Sequence, residues 1–349
     1  MTFRLHILYE FKEGPWGGGN QFLKALRDAL IKQDAYSNDP FKAQAFLFNS
    51  HHLGPEQRGL DLLYALKSQA PECPVLHRID GPIGLIRGGG FSTDRLIFKI
   101  NHILASGTVF QTRWSMEESL RHGLQAIQPI THILNAPDPA LFYPAPKHPS
   151  GEKIKLIATS WAANARKGFD LYAYLDTHLD FTRYTMTFVG NSPLPFRNIR
   201  HIPAVDSRSL GELLRAHDIY ITASRNDPCS NALCEALHCG LPALVLDSGG
   251  HPEILGNGGL PFEGAQDILE KIDTLTAQYD HFRNAIALPD IQHIAAQYLD
   301  FAKLCSHNAK ACPPLSQKTL QALKKTIRRH HLAERLKNAI SRRWKGQSA

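Results

Sequence analysis

Two carboxylates, Asp227 and Glu235, flank a helix start within residues 222–253. Asp227-Pro228 reads as that start, with Asp as the cap and Pro in the first turn. The helix runs from about Ser230 to Cys239, and Gly240-Leu241-Pro242 stops it. A helix N-terminus leaves amides unpaired and carries partial positive charge, so the amides of Ser230, Asn231 and Ala232 can meet a phosphate. Glu235 lies one turn in from Asn231, on the same face. A carboxylate there can accept from two vicinal hydroxyls, as a ribose offers. Asp227, in the loop ahead of the helix, can meet a sugar.

Cations stand upstream. An apolar strand over 153–159 leads into Ser160-Trp161-Ala162-Ala163-Asn164-Ala165-Arg166-Lys167-Gly168. Positive charge at a helix start is unfavourable unless an anion is bound. Arg166 and Lys167 are therefore assigned to a leaving diphosphate, whose growing charge fixed cations stabilise. Nearer the N-terminus, Glu13-Gly14-Pro15-Trp16-Gly17-Gly18-Gly19-Asn20 joins a first strand to a helix expected from Gln21 to about Lys32. Backbone at Gly18, Gly19 and Asn20 can approach a ligand closely, and these three are candidates for binding one. The run is not G-x-G-x-x-G, so no dinucleotide site is read. A strand over 74–79 ends in His77-Arg78-Ile79-Asp80 before Gly81-Pro82. Side chains alternate along a strand, so His77 and Ile79 point one way, Arg78 and Asp80 the other. His77 and Asp80 read either as groups assisting an acceptor hydroxyl or as a core histidine and a turn former. The glycine-rich stretch 83–90 reads as a mobile loop closing over an acceptor.

Apolar strands alternate with helical stretches through the chain, the pattern of parallel α/β sheets. Further strands are expected over 43–49, 107–111, 127–134, 185–189, 199–202, 217–221 and 243–246. Helices are expected over 55–68, 91–104 (capped by Ser92), 115–122, 206–216, 265–279 and 291–304. Proline-rich 144–151 reads as a linker. The domains are then 1–145 and 151–290, both Rossmann-like, and 291–349, a helix with a basic helical tail.

Residues Asp227, Glu235, Gly240, Pro242, Gly249, Gly250, Pro252 and Glu253, in that order, resemble the donor motif of retaining glycosyltransferases of the GT-B fold, the family-4 type (glycosyl transferases group 1). Lys167-Gly168 resembles that family's diphosphate-holding Lys-Gly, and Asn135-Ala136-Pro137-Asp138 with Phe142-Tyr143-Pro144 its interdomain crossover. The sequence departs at Asp227, where the family has Glu, at Ala136 for Gly, and at Ala162, about where an Arg belongs; Arg166 is expected to supply that charge. The resemblance implies α/β architecture with two facing Rossmann-like domains, and transfer of a sugar from a nucleotide diphosphate sugar to a hydroxyl acceptor with retention. It implies that 1–145 is the acceptor half and 151–290 the nucleotide-sugar half, joined back by a crossover helix after 291, and that the loop at Gly18, Gly19 and Asn20 touches donor phosphate or acceptor. It implies a glycan or lipid-linked acceptor in cell-surface glycan synthesis, a nucleotide base near 201–203 and the helix 206–216, and no metal or other cofactor.

Six cysteines lack a C-x2-C pair, so zinc is not read, and Cys229, Cys234 and Cys239, five apart, do not share one helix face. They read as packing residues or free thiols of a cytoplasmic protein. No apolar run approaches a membrane span. The net charge is +7, and much of it lies in 316–345, where Glu334 is the only acid. A basic amphipathic helix of this kind lies on an anionic membrane surface, at its inner face, or packs its apolar side on the body. Nucleic acid is not expected as a partner, since no recognition motif is present. Other uses of such a cleft stay open: a nucleotide-sugar epimerase, a sugar phosphorylase, or a catalytically silent docking protein.

Overall fold

Short apolar runs and the helices between them fold into two parallel sheets. The structure, a computed structural model, describes residues 3–13, 17–49, 58–88, 90–145, 152–309 and 315–346. The first sheet holds β1 (Leu5–Leu8), β2 (Ala45–Asn49), β3 (Val75–Arg78), β4 (Gly107–Phe110) and β5 (Ile130–His132), in that order. Around it lie α1 (Gly18–Lys32), α2 (Arg58–Gln69), α3 (Ile83–Arg87), α4 (Ser92–Leu104) and α5 (Arg113–Arg121). The second sheet holds β6 (Ile154–Ser160), β7 (Tyr184–Gly190), β8 (Arg200–Ile202), β9 (Ile219–Thr222), β10 (Ala243–Leu246) and β11 (Gly259–Phe262), in the order β11-β10-β9-β6-β7-β8. Its helices are α6 (Phe169–His178), α7 (Ser207–Arg215), α8 (Asn231–His238), α9 (His251–Leu255), α10 (Ile268–Ala277) and α11 (Tyr279–Asn284). Two last helices follow, α12 (Ile291–Ala309) and α13 (Gln317–Gly346).

Parallel strands covered on both faces must be apolar on both. In the second sheet Leu156, Ala158, Phe188, Ile221 and Leu244 enter one core layer, while Ile157, Val189, Tyr220, Ala243 and Val245 enter the other. That is the period of two. The first sheet receives the end of the chain: α12 places Ile294, Tyr298 and Ala302 against Leu5, Leu26 and Leu47. Leu320, Leu323 and Ile327 of α13 pack with Phe46, Leu63 and Ile100. The chain thus crosses back, and its last two helices cover the first sheet.

Several boundaries differ from the sequence reading. Helix α1 begins at Gly18 rather than Gln21, so Gly18, Gly19 and Asn20 form its first turn instead of a loop. The stretch after Pro82 is not simply a loop. Residues 83–87 form α3, because the Asp94 carboxylate accepts from Ile83 N (2.6 Å) and Gly84 N (2.8 Å) and holds its start. Ser92 does not cap α4; the N-cap residue is Phe91, and Ser92 Oγ meets Glu334 instead. Asp227 does not cap α8: the cap is Ser230, whose side chain accepts from Leu233 N. Strand β5 is shorter than the expected 127–134, and 265–279 divides between α10 and α11. Residues Gly14, Pro15 and Trp16 of the glycine loop, Gly89, the start of the 55–68 helix and most of the linker, 146–151, lie outside the described residues.

Candidate functional site

The chain runs outward from β6 to β7 and β8, then returns to the other side of β6 as β9. Ligands of such sheets sit in the crevice beyond the strand ends where the order reverses. A cavity of 310 Å³ opens there, between the loop after β6 (Ser160, Ala162, Lys167), the loop after β9 (Asp227) and the start of α8. Gly18 closes it from the first domain. That approach needs glycine, since any side chain at Gly18 would collide with Asn231.

The sequence positions Lys167 through its neighbour. Gly168 has φ +75°, and a Cβ there would strike the Ala223 carbonyl. The turn therefore lies flush against the end of β9, with Arg225 N donating to Arg166 O (2.8 Å). Lys167 Nζ reaches across to Asp227 Oδ2 at 3.0 Å. Burial raises the Asp227 carboxyl, but Lys167 and His251 opposite outweigh it and hold it below its ordinary value. A buried anion beside a cation in this cavity is a group that stays charged for ligand binding.

Helix α8 brings the anion-binding end. Ser230 uses its hydroxyl on Leu233 N, and no acid stands in the first turn, so nothing there competes with a bound phosphate for the helix field. Asn231, Ala232 and Glu235 all line the cavity. Burial alone pushes the Glu235 carboxyl up to about 8. A group in that state gains most from ligand hydroxyls that donate to its charged form. The far end of the cavity is apolar, formed by Val189, Val205 and Leu210, near the segment read as the base site. His201 does not line it; its Nε2 is bound at Gly190 O (2.8 Å).

A second cavity, of 390 Å³, lies on the first-domain side, with Gly19, Asn20, Arg78, Asp80 and Arg87 in its wall. Asp80 is held by Arg78, Asn49 (2.9 Å) and Gln111 (2.8 Å). Arg78, 1% exposed, also donates to Asn135 Oδ1 (2.9 Å), and Asn135 Nδ2 donates to Asn231 Oδ1 (3.0 Å). One chain of hydrogen bonds therefore runs from the wall of this cavity to the first residue of α8. The seam is closed further by Thr112 Oγ1 donating to Pro228 O (2.7 Å) and by Glu253, whose carboxylate accepts from Arg113 N (3.0 and 2.8 Å) at the start of α5.

The structure gathers Lys167, Asp227, Gly18, Ser230, Asn231, Ala232 and Glu235 around one cavity. Other residues depart from their assignments. His77 is fully buried in the first domain, 5.3 Å from the Phe48 ring and 3.2 Å from Asn101 Nδ2, and burial lowers it to about 3; it faces α4 rather than the cleft, which makes it a core residue. Arg166 does not line the first cavity; its guanidinium lies beside Gly88 of the first domain. Ala162 is therefore not replaced by it. Gly19 and Asn20 face the second cavity rather than the first, and the Asn20 side chain is used to brace Lys12 N and O (both 3.0 Å). Asp80 lines the second cavity. Sequence reasoning passed over Gln111, whose only signal was its place just after β4, and read Asn135 only as part of the crossover, not as a partner of Arg78 and Asn231. Cys229 and Cys234, read as not sharing a face, do come together, because Cys229 lies in the loop before α8.

The sequence profile of the family described as Glycosyl transferases group 1 matches residues 196–287. No curated protein matches the chain by sequence. Sucrose-phosphate synthase from Thermosynechococcus elongatus is similar in fold, with TM-score 0.59 at 13% identity, covering 97% of this chain and all of that one. HepE of Anabaena, solved in complex with UDP-glucose, gives 0.58 at 16% identity over 89% and 99%. AviGT4, a glycosyltransferase involved in avilamycin A biosynthesis, gives 0.60 at 13% over 87% and 98%. The fold is therefore that of the GT-B glycosyltransferases, and the family match lies on the half that carries Asp227 and Glu235.

Proposed function

We propose that this protein is a glycosyltransferase that moves a sugar from a nucleotide diphosphate sugar to a hydroxyl acceptor, with retention of the anomeric configuration. The observation that carries the reading is the convergence of Lys167, Asp227, Glu235 and the open end of α8 on one cavity at the strand-order reversal. The nucleotide's ribose meets Glu235. Lys167 and the amides of Asn231 and Ala232 receive the diphosphate, and Asp227 meets the sugar. With Ala162 in place of an Arg and Arg166 at the rim, the field on the diphosphate comes from Lys167 and the helix end.

In the proposed step the acceptor oxygen attacks the anomeric carbon on the face from which diphosphate departs. The carbon–oxygen bond to phosphate breaks, its electron pair leaves with the diphosphate, and the acceptor proton passes to a departing phosphate oxygen. Asp80 lies on the acceptor side but is already held by Arg78, so no protein base is required. Metal is not part of this reading, since Lys167 and the amides supply the positive charge. The acceptor is a glycan or lipid-linked hydroxyl of cell-surface glycan synthesis, a cytoplasmic process at the inner face of a membrane.

The test is ³¹P and ¹H NMR of the protein with a panel of nucleotide sugars and envelope-glycan acceptors, with and without chelator. The expected result is release of one nucleoside diphosphate, a product with the donor's anomeric configuration, and loss of both in Lys167→Ala. Interconversion of the donor sugar without release would make the protein an epimerase. Turnover requiring orthophosphate would make it a phosphorylase, and no turnover with any donor would make it a docking protein.

A further inference from the structure

Helix α13 has two unlike faces. Leu320, Leu323 and Ile327 are buried on the first domain, each 2% exposed or less. At roughly 3.6 residues per turn, Leu332 and Leu336 fall about half a turn away from that buried stripe. They are 60% and 56% exposed. The cations Lys318, Lys325, Arg328, Arg329 and Arg335 are exposed with them. Glu334, the only acid of the helix, is directed inward, with Ser92 Oγ at 3.4 Å. Leu332 and Leu336 stand one turn apart and so form a continuous apolar stripe on that far face. Two leucines set among cations match a surface that is apolar beneath and anionic above.

The position of this face adds a second observation. His330 and Glu334 meet Thr93 and Ser92 in the first turn of α4. That turn follows α3, whose Ile83, Ile86 and Arg87 line the acceptor-side cavity. The exposed end of α13 thus lies against the α3–α4 corner of the first domain, the corner whose α3 lines that cavity.

We infer that the outward face of α13 docks the protein on an anionic lipid bilayer, with Leu332 and Leu336 entering the interface and the acceptor-side cavity opening toward it, so that the acceptor is presented from the membrane. The docking stands on α13 alone; the acceptor's class rests on the transferase reading given above. Each cation held near an anionic surface strengthens partition about fivefold, and salt weakens it.

The test is flotation of the full chain with vesicles of phosphatidylcholine alone, or with about 30 mol% phosphatidylglycerol, which gives the surface the negative potential that attracts Lys and Arg. The expected result is flotation with the anionic vesicles only, reduced at least about tenfold in Leu332→Ser/Leu336→Ser and in Arg328→Gln/Arg329→Gln, with unchanged melting temperature. Lys167→Ala should float like wild type, so a failed donor reading leaves this result standing. No flotation with anionic vesicles would overturn the inference. So would full flotation of the leucine variant, or a concentration-dependent dimer in light scattering that the leucine variant abolishes, since the leucines would then serve a second copy.

Discussion

The two sides of the cleft are built differently. The proposed donor side takes its groups from segments that follow strand ends: the turn at Lys167-Gly168, the loop at Asp227 and the first turn of α8. The proposed acceptor side takes its groups from side chains on separate elements, with Arg78, Asp80, Gln111 and Asn135 tied in one network. Backbone-built sites leave short, ordered strings in a sequence, because strand, turn and helix start must follow each other. Side-chain networks leave only isolated polar residues at strand ends.

The largest expected effect is on the donor side. Lys167→Ala should lower kcat/KM about 100- to 1000-fold, as for loss of one fixed charge stabiliser; a loss under about tenfold in steady-state kinetics would move the diphosphate elsewhere. Gly168→Ala places a side chain at φ +75° against the Ala223 carbonyl. It should destabilise the second domain by about 1–3 kcal/mol in urea unfolding. An unchanged midpoint would mean that the turn does not lie flush with β9.

Glu235 gives a smaller effect with a definite sign. Its carboxyl titrates at about 8, and ribose hydroxyls donate to the charged form. Donor affinity, measured by fluorescence titration, should therefore rise with pH and level off above about 8, and Glu235→Gln should flatten the curve. Stability runs the opposite way. The folded value lies above the unfolded one of about 4.3, so the group's stabilisation is complete below that value and is lost as pH rises through about 8. The melting temperature of the unliganded protein should fall less between about pH 6 and 9 in Glu235→Gln.

The smallest effect is expected on the acceptor side. His77→Phe should leave turnover within about twofold while shifting stability by roughly 1–2 kcal/mol, the cost of disturbing a buried polar contact. A large loss of turnover with intact stability would return His77 to the chemistry.

Much of this was legible in the sequence. Alternating apolar runs pointed to two α/β domains, and the string from Asp227 to Glu253 pointed to the donor half. The limits have physical reasons. The position of His77 on β3 fixes which way it points, but both faces of β3 are buried, and the pattern does not say that His77 meets Asn101 of α4 while Arg78 meets the cleft. Arg166 and Lys167 are adjacent, yet the turn packed flush on Ala223 at Gly168 sends Lys167 to Asp227 in the cavity and Arg166 to Gly88. The role of Glu253 at the start of α5 depends on a contact 140 residues away. For α13, the sequence left two readings open, membrane or body. The helix separates them by face: Leu320, Leu323 and Ile327 take the body, and Leu332 and Leu336 remain outside.

The central claim is that one anion site at the strand-order reversal binds a nucleoside diphosphate through Lys167 and the start of α8. Isothermal titration of wild-type and Lys167→Ala protein with a panel of nucleoside diphosphates tests it directly. The account predicts selective binding of one of them by the wild type, unaffected by chelator and weakened at least about tenfold in the variant. Equal binding by both proteins, or none by the wild type, would contradict it.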